Sequence, residues 1–337
     1  MHACLHAFDG DVHGCAPLWP HWDCFVSPGI TQEDAIVPKD SPLFLTDSAK
    51  TCLKHTYLQN DPRPTMRALG RLDYTLADIA APIFRQLIAA RTSYANRKLQ
   101  VLDLGCAWGI GAALLRFPLS FATVQARYTA REMQALEPIE VEELDRLYYA
   151  AWPRDGHRYL GVDGREAAVS YAHRVGTVDC GITADLERAD PDDALAAEIL
   201  RTDIIVATGR IGVRSAVRLA QAARRDDPPW IAMFMNRATP GDELAAALEP
   251  LGLVTERFDG GSFVQRRFES AAEKDRALAV LQGRDLDPAG KEADGWLHAD
   301  LYVARPAPIA AAIPLHRMVS VASGAIGLRP LRLPRSA

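Results

Sequence analysis

The sequence has no Cys-x-x-Cys pair, no acidic residue after Asp300 and no apolar stretch of the roughly 18 residues that a membrane-spanning helix needs. Its start lacks a basic segment leading into an apolar one, so no secretory signal is expected. No membrane association is expected either. Basic surface is also short: 38 basic against 43 acidic side chains leave a net charge of -5. Neutralising a phosphate backbone takes a basic face, so no nucleic-acid partner is expected. Collagen, coiled coil, channel and disordered chain are excluded by composition and pattern.

What remains is an ordinary globular balance, 48% hydrophobic and 24% charged over 337 residues. That length suits two domains, or one large domain with extensions. The cysteines Cys4, Cys15, Cys24, Cys52, Cys106 and Cys180 read as reduced thiols of a cytoplasmic chain rather than a disulfide framework. His2, Cys4, His6, His13, Cys15, His21 and Cys24 crowd the start, but their spacings match no standard zinc pattern. No metal is expected.

Residues 1–45, with five prolines and three glycines, read as an irregular N-terminal extension. Residues 46–98 read as a helical lid, with apolar residues at helical spacing through Leu76–Ile88. From residue 99 to 306, short apolar runs alternate with helical segments. The strands are expected at 101–104, 159–163, 178–183, 203–208, 230–235, 253–258 and 301–304. This pattern implies an α/β, Rossmann-like, seven-stranded, mostly parallel sheet with helices on both faces. Such sheets bind ligands at the carboxyl ends of their strands. Residues 118–158 read as a helical insertion expected at the sheet end away from the site, and as a candidate homodimer interface. Residues 307–337 read as a loosely ordered tail containing Pro and Arg.

Chemistry concentrates in Val101–Leu115. An apolar strand carrying Asp103 turns through Gly105 and Gly109 into a helix. Glycine lets the backbone turn tightly and approach a ligand, and the helix start offers free N–H groups to it. Glycines at 105, 109 and 111 fit the dinucleotide fingerprint GxGxxG poorly, which argues against a nicotinamide oxidoreductase.

The stretch resembles motif I of class I S-adenosylmethionine (SAM)-dependent methyltransferases, D/E-x-G-x-G-x-G. Asp103, Gly105 and Gly109 match, and Ala107 stands where the middle glycine is usual. The resemblance covers about 99–306 apart from the insertion, and implies a SAM cofactor. It places Asp163, with Gly164 after it, at the ribose hydroxyls, and Asp185-Leu186 beside adenine. It also places Thr208 at the end of the fourth strand, in the family's motif IV region. Each assignment has a structural alternative: Asp103 capping the next helix, Asp163-Gly164 as a turn, Asp185 in a solvated acidic loop. Cys106 and Trp108 either line the pocket or pack beneath it.

For the acceptor, the Asn/Asp-Pro-Pro-Tyr/Phe signature of base-amine methyltransferases is absent after the fourth strand, where Ala207-Thr208-Gly209-Arg210 stands. A small-molecule O, N or C nucleophile, in secondary or specialised metabolism, is therefore expected. RNA or protein methylation and non-catalytic SAM binding are the alternatives. Arg63, Arg210, Asn236 and Arg237 are the substrate-binding candidates, since arginine can clamp an anionic group bidentately. Arg67 is a further lid candidate. His55, Tyr74 and Arg210 are the catalytic candidates, His55 because imidazole titrates near neutral pH. None is obligatory, because the cofactor supplies the hard chemistry.

Overall fold

The computed structural model describes residues 53, 56, 59–208, 212–224, 226–239 and 241–321. Helices α1 (Arg63–Arg71) and α2 (Leu76–Ala95) precede strand β1 (Gln100–Leu104). The alternation continues through α3 (Ile110–Arg116), β2 (Arg158–Asp163), α7 (Glu166–Arg174), β3 (Cys180–Thr183), α8 (Asp193–Ile199), β4 (Ile204–Thr208), α9 (Val213–Ala222), β5 (Trp230–Asn236) and α10 (Gly241–Leu248). The insertion supplies α4 (Phe121–Thr129), α5 (Arg131–Gln134) and α6 (Pro138–Ala150) between α3 and β2. The chain closes with β6 (Leu253–Arg257), β7 (Phe263–Arg267), α11 (Ala271–Gly283), β8 (Trp296–Pro306), α12 (Ala307–Ala312) and α13 (Leu315–Met318).

The sheet runs β3-β2-β1-β4-β5-β8-β6, with β7 also paired to β8. The first five strands are parallel, and β8 enters antiparallel between β5 and β6. Side chains alternate along each strand and divide the core in two. Val101, Ile204, Val206, Ala232 and Phe234 pack on one face with residues of α2, α3 and α7. Leu102, Leu104, Ile205, Ala207, Met233 and Met235 pack on the other with α8, α9 and α10. The polypeptide thus buries a sheet between two helical layers, as the alternation predicts. Among the described residues, no helix is long and apolar enough to cross a membrane.

Three features differ from expectation. The sheet has eight strands, because β8 spans eleven residues and pairs with β6 along one half and β7 along the other. The β7 run Phe-Val-Gln-Arg-Arg is too short and mixed to read as a strand. The insertion leaves α3 at the end of the sheet where β3 starts, with Arg116 paired to Asp179, but does not stay there. Helix α3 is only seven residues long, and the chain folds back onto α1 and the start of α2. There Asp78 accepts from the Phe121 and Ala122 amides, which start α4. Finally, residues 307–321 are ordered. Glu256 accepts from the Leu315 amide and pairs with the buried Arg305, and Ser320 bonds Gln86 of α2.

Candidate functional site

In the order 3-2-1-4-5, the direction of progression reverses between β1 and β4, which is where such sheets open a crevice for ligands. A small cleft lies there, lined by Ala77, Ala80 and Phe84 of α2, Asp103 of β1, Leu114 of α3 and Thr208 of β4, among others. Its free space is about 20 Å³, room for little more than a water molecule. The start of α2 lines this cleft, while the rest of the helix packs along the face of the sheet.

The loop from β1 to α3 is built by backbone conformation. Gly105, Ala107 and Gly109 have φ of 75°, 46° and 72°. These left-handed turns suit glycine, so Ala107 carries strain that its neighbours do not. The Gly105 amide donates to the Val162 carbonyl at 2.7 Å, and the Ala107 amide donates to Asp163 Oδ2 at 3.0 Å. The loop is thereby tied to the end of β2. A Cβ on Gly109 would overlap Thr177 Oγ1, and one on Gly111 would lie 2.8 Å from Asp103 Oδ2.

Asp103 is buried, and burial is the chief reason that its carboxyl titrates up near about 7. The Ala112 backbone at the start of α3 opposes that shift, while the nearby Asp163 charge adds to it. The N-cap of α3 is Gly109, and no side chain caps that helix. Among the described residues Asp103 Oδ2 has no hydrogen-bond partner, and the residue lines the cleft.

Asp163 ends β2 and is likewise buried. Besides the Ala107 amide, its oxygens accept from the Arg165 amide and guanidinium. Gly164 lies beside the loop after β3, where a Cβ would make only an ordinary 3.7 Å contact with Asp185 Cβ. Asp185 accepts from the Glu187 amide at 3.1 Å and lies 3.4 Å from Arg188. Leu186 is buried behind that loop, its carbonyl held by Arg218. Glu187 caps α9 through Ser215, so the loop after β3 is fixed to the helix after β4.

Several expected site residues are engaged elsewhere. Trp108 is buried, donates from Nε1 to Thr65 Oγ1 at 3.1 Å and meets Tyr171 edge-on at 5.5 Å. Cys106 is buried against Gly161, and burial pushes its thiol well up. Both pack beneath the loop and do not line the cleft. Arg63 does not offer its guanidinium to a ligand. It is bonded to both Asp61 oxygens and to the Met133 and Leu136 carbonyls, pinning the insertion to the lid. Arg67 meets Gln134 of α5. Arg237 is buried, pairs with Glu292 at 2.5 Å and donates to the Asp287 carbonyl, bracing the segment before β8. Asn236 accepts from the Ala238 amide in a turn, at the carboxyl end of β5. Tyr74 is half-buried and edge-on to Phe121 at 5.1 Å. His55, Arg210, the His/Cys-rich start and the tail beyond 321 lie outside the described residues. Among the described residues, no group of three or more His, Cys, Asp or Glu is placed to hold a metal.

Sequence reasoning passed over three polar groups. Arg165 follows the Asp163-Gly164 turn, and its distance of two positions from an acid was the available signal. His298, in β8, lies 3.1 Å from Ser262 Oγ, and burial, then Arg237 and Lys291, lower it to about 4, so it is neutral at pH 7. Asp145 of α6 is fully buried, bonded by Tyr128, Tyr171 and Arg127. No local pattern announces that cluster.

No family model matches the chain, and no curated protein matches it. Solved structures similar to it include a TehB-like SAM-dependent methyltransferase from Corynebacterium glutamicum, with 15% identity, 65% of this chain and 85% of that one covered, and a TM-score of 0.31. The plantazolicin methyltransferase BamL shares 13% identity over 75% of this chain and 94% of its own, at a TM-score of 0.37. Magnesium protoporphyrin IX methyltransferase from Synechocystis shares 12% over 73% and 85%, at 0.33. The strand order, the parallel first five strands and the antiparallel closing strands give the chain a Rossmann-like α/β fold.

Proposed function

We propose that the protein transfers a methyl group from SAM to a small-molecule O, N or C nucleophile. The observation that carries this reading is Asp103 Oδ2, a buried carboxyl oxygen with no partner among the described residues, on a residue that lines the cleft at the switch between β1 and β4. A cationic ligand group would satisfy it. Beside it, three left-handed residues bring bare backbone to the same strand ends, and Asp163 stands one strand away. These residue types suit the amino, methionyl and ribosyl parts of SAM. The cleft has room for little more than a water molecule, so the side chains that line it have to move for the cofactor to seat.

When bound, SAM supplies an electrophilic methyl group on a sulfonium. Asp103 would hold its ammonium group, and Asp163 its ribose hydroxyls. The Gly164–Leu186 edge would take the adenine. Thr208 and Asn236 end β4 and β5 on the rim, where an acceptor would be aligned and water excluded by the lid. Thr208 also lines the cleft. The net acidic chain favours a small acceptor over RNA, and a cytoplasmic location goes with this reading. Self-association through the insertion is retained in it, since Ile139, Leu144 and Leu147 on α6 are exposed.

Calorimetric titration of SAM, and separately NAD, tests the reading, with Asp163→Ala as control. The expected result is micromolar SAM binding, weakened about 10- to 100-fold in the variant as charge-assisted hydrogen bonds are lost. Folded protein free of carried-over ligand that binds NAD, or does not bind SAM, would refute it.

A further inference from the structure

The acid assigned to the ribose already has an occupant. Asp163 Oδ1 accepts from the Arg165 amide at 3.1 Å and from Arg165 Nε at 2.8 Å. Oδ2 accepts from the Ala107 amide at 3.0 Å and from Arg165 Nη2 at 2.7 Å. An ionised carboxylate offers about four lone-pair sites. All are filled.

The four donors are of two kinds. The amides of Ala107 and Arg165 are fixed by the turn after β1 and by the start of α7. The Nε and Nη2 donors are two prongs of one guanidinium, one prong on each oxygen. A ribose cis-diol presents the same pattern, two parallel hydroxyl donors that span one carboxylate. The guanidinium fork therefore stands on the positions that the diol hydroxyls would take. Its side chain is 27% exposed against 6% for Asp163, so the arginine has a way out to water that the acid lacks.

We infer that Arg165 is an internal competitor of the ribose diol and sets both the affinity and the diol selectivity of this site. The inference rests on the proposed SAM site and adds to it. The fork must leave Asp163 before a nucleoside seats, so the wild-type protein binds more weakly than its pocket allows. A sugar without vicinal hydroxyls has no pair of donors to replace the fork with. It gains nothing from the removal of the arginine.

The test is titration of SAM into wild type, Arg165→Gln and Arg165→Lys, with adenosine and 2′,3′-dideoxyadenosine as uncharged probes and thermal melts to confirm folding. Arg165→Gln is expected to tighten SAM and adenosine about five- to tenfold, the scale of a partly exposed bidentate pair. Dideoxyadenosine affinity is expected to stay unchanged. Lysine, which cannot fork across both oxygens, should give an intermediate gain and serves alone if the glutamine variant does not fold. Equal or weaker SAM binding in a folded variant overturns the inference and leaves the cofactor reading standing. So does equal tightening of the dideoxy probe. Absence of SAM binding in all three proteins overturns the cofactor reading itself.

Discussion

Gly109→Ala should be among the most damaging single-methyl additions in this fold, and its cost can be divided in advance. Gly109 has φ +72°, where an alanine loses about 1 to 2 kcal/mol of backbone energy. The new Cβ would also overlap Thr177 Oγ1 and come within 2.7 Å of Ala172 Cβ. Overpacking of that kind adds about 1 to 3 kcal/mol. The total of about 2 to 5 kcal/mol is a large part of an ordinary domain's stability. Gly252 isolates the first contribution. It has φ +79° and, among the described residues, nothing within 4 Å of where a Cβ would stand, so Gly252→Ala should cost only the backbone part. Urea unfolding of the two variants gives the comparison through the midpoint at constant slope. Gly109→Ala combined with Thr177→Ala should recover part of the loss, since it removes the nearest atom. A Gly109→Ala protein no less stable than Gly252→Ala would refute the claim that the turn after β1 is packed this tightly against the end of α7.

Three further outcomes follow from the same geometry. The Asp103 carboxyl is raised from 3.8 to about 7, so the folded state binds more protons than the unfolded state between those values, and stability falls as pH rises through that window. Asp103→Asn should therefore flatten the decline between pH 4 and 8, by up to about 4 kcal/mol, in parallel urea melts; an unchanged slope would refute the assignment. Ala107→Gly should be neutral or stabilising by up to about 1 kcal/mol, because relief of its left-handed strain is offset by added freedom in the unfolded chain, and a clear loss in the same melts would count against it. Asp145→Asn leaves Arg127 without its buried partner and should cost about 3 to 5 kcal/mol, read as a lowered urea midpoint, while a change under 1 kcal/mol would deny the cluster its structural role.

The parts of this fold that were legible in the sequence are those that one segment determines by itself. Each parallel strand is a short apolar run whose alternate residues both face helices, so Ile204–Thr208 and Trp230–Asn236 declare themselves without reference to neighbours. The β7 strand does not. Its register depends on β8, which lies about thirty positions further on, and its Arg266 is tolerated inside only because Glu273 meets it at 2.6 Å. The path of the insertion was equally hidden. Its return to the lid is decided by Asp78 meeting the start of α4 and Arg63 meeting carbonyls near residue 135, contacts that no local periodicity encodes.

The same division runs through the site and explains why its two halves were read so unequally. The cofactor side consists of backbone turns and strand-end acids, and both are local: a glycine at 109 is required wherever the chain turns left-handed against a neighbour, and an acid at 103 or 163 stays at its strand end whatever surrounds it. The acceptor side was assigned to arginines, whose long side chains go wherever a carboxylate or carbonyl waits. Arg237 finds Glu292, 55 positions away, and Arg63 finds Met133, 70 away, so both become braces. Arg165 shows the converse. It finds its partner only two residues back, and because that partner is the acid proposed for the ribose, an ordinary turn contact enters the proposed binding chemistry. An arginine's role in such a site is fixed by which acid it reaches first.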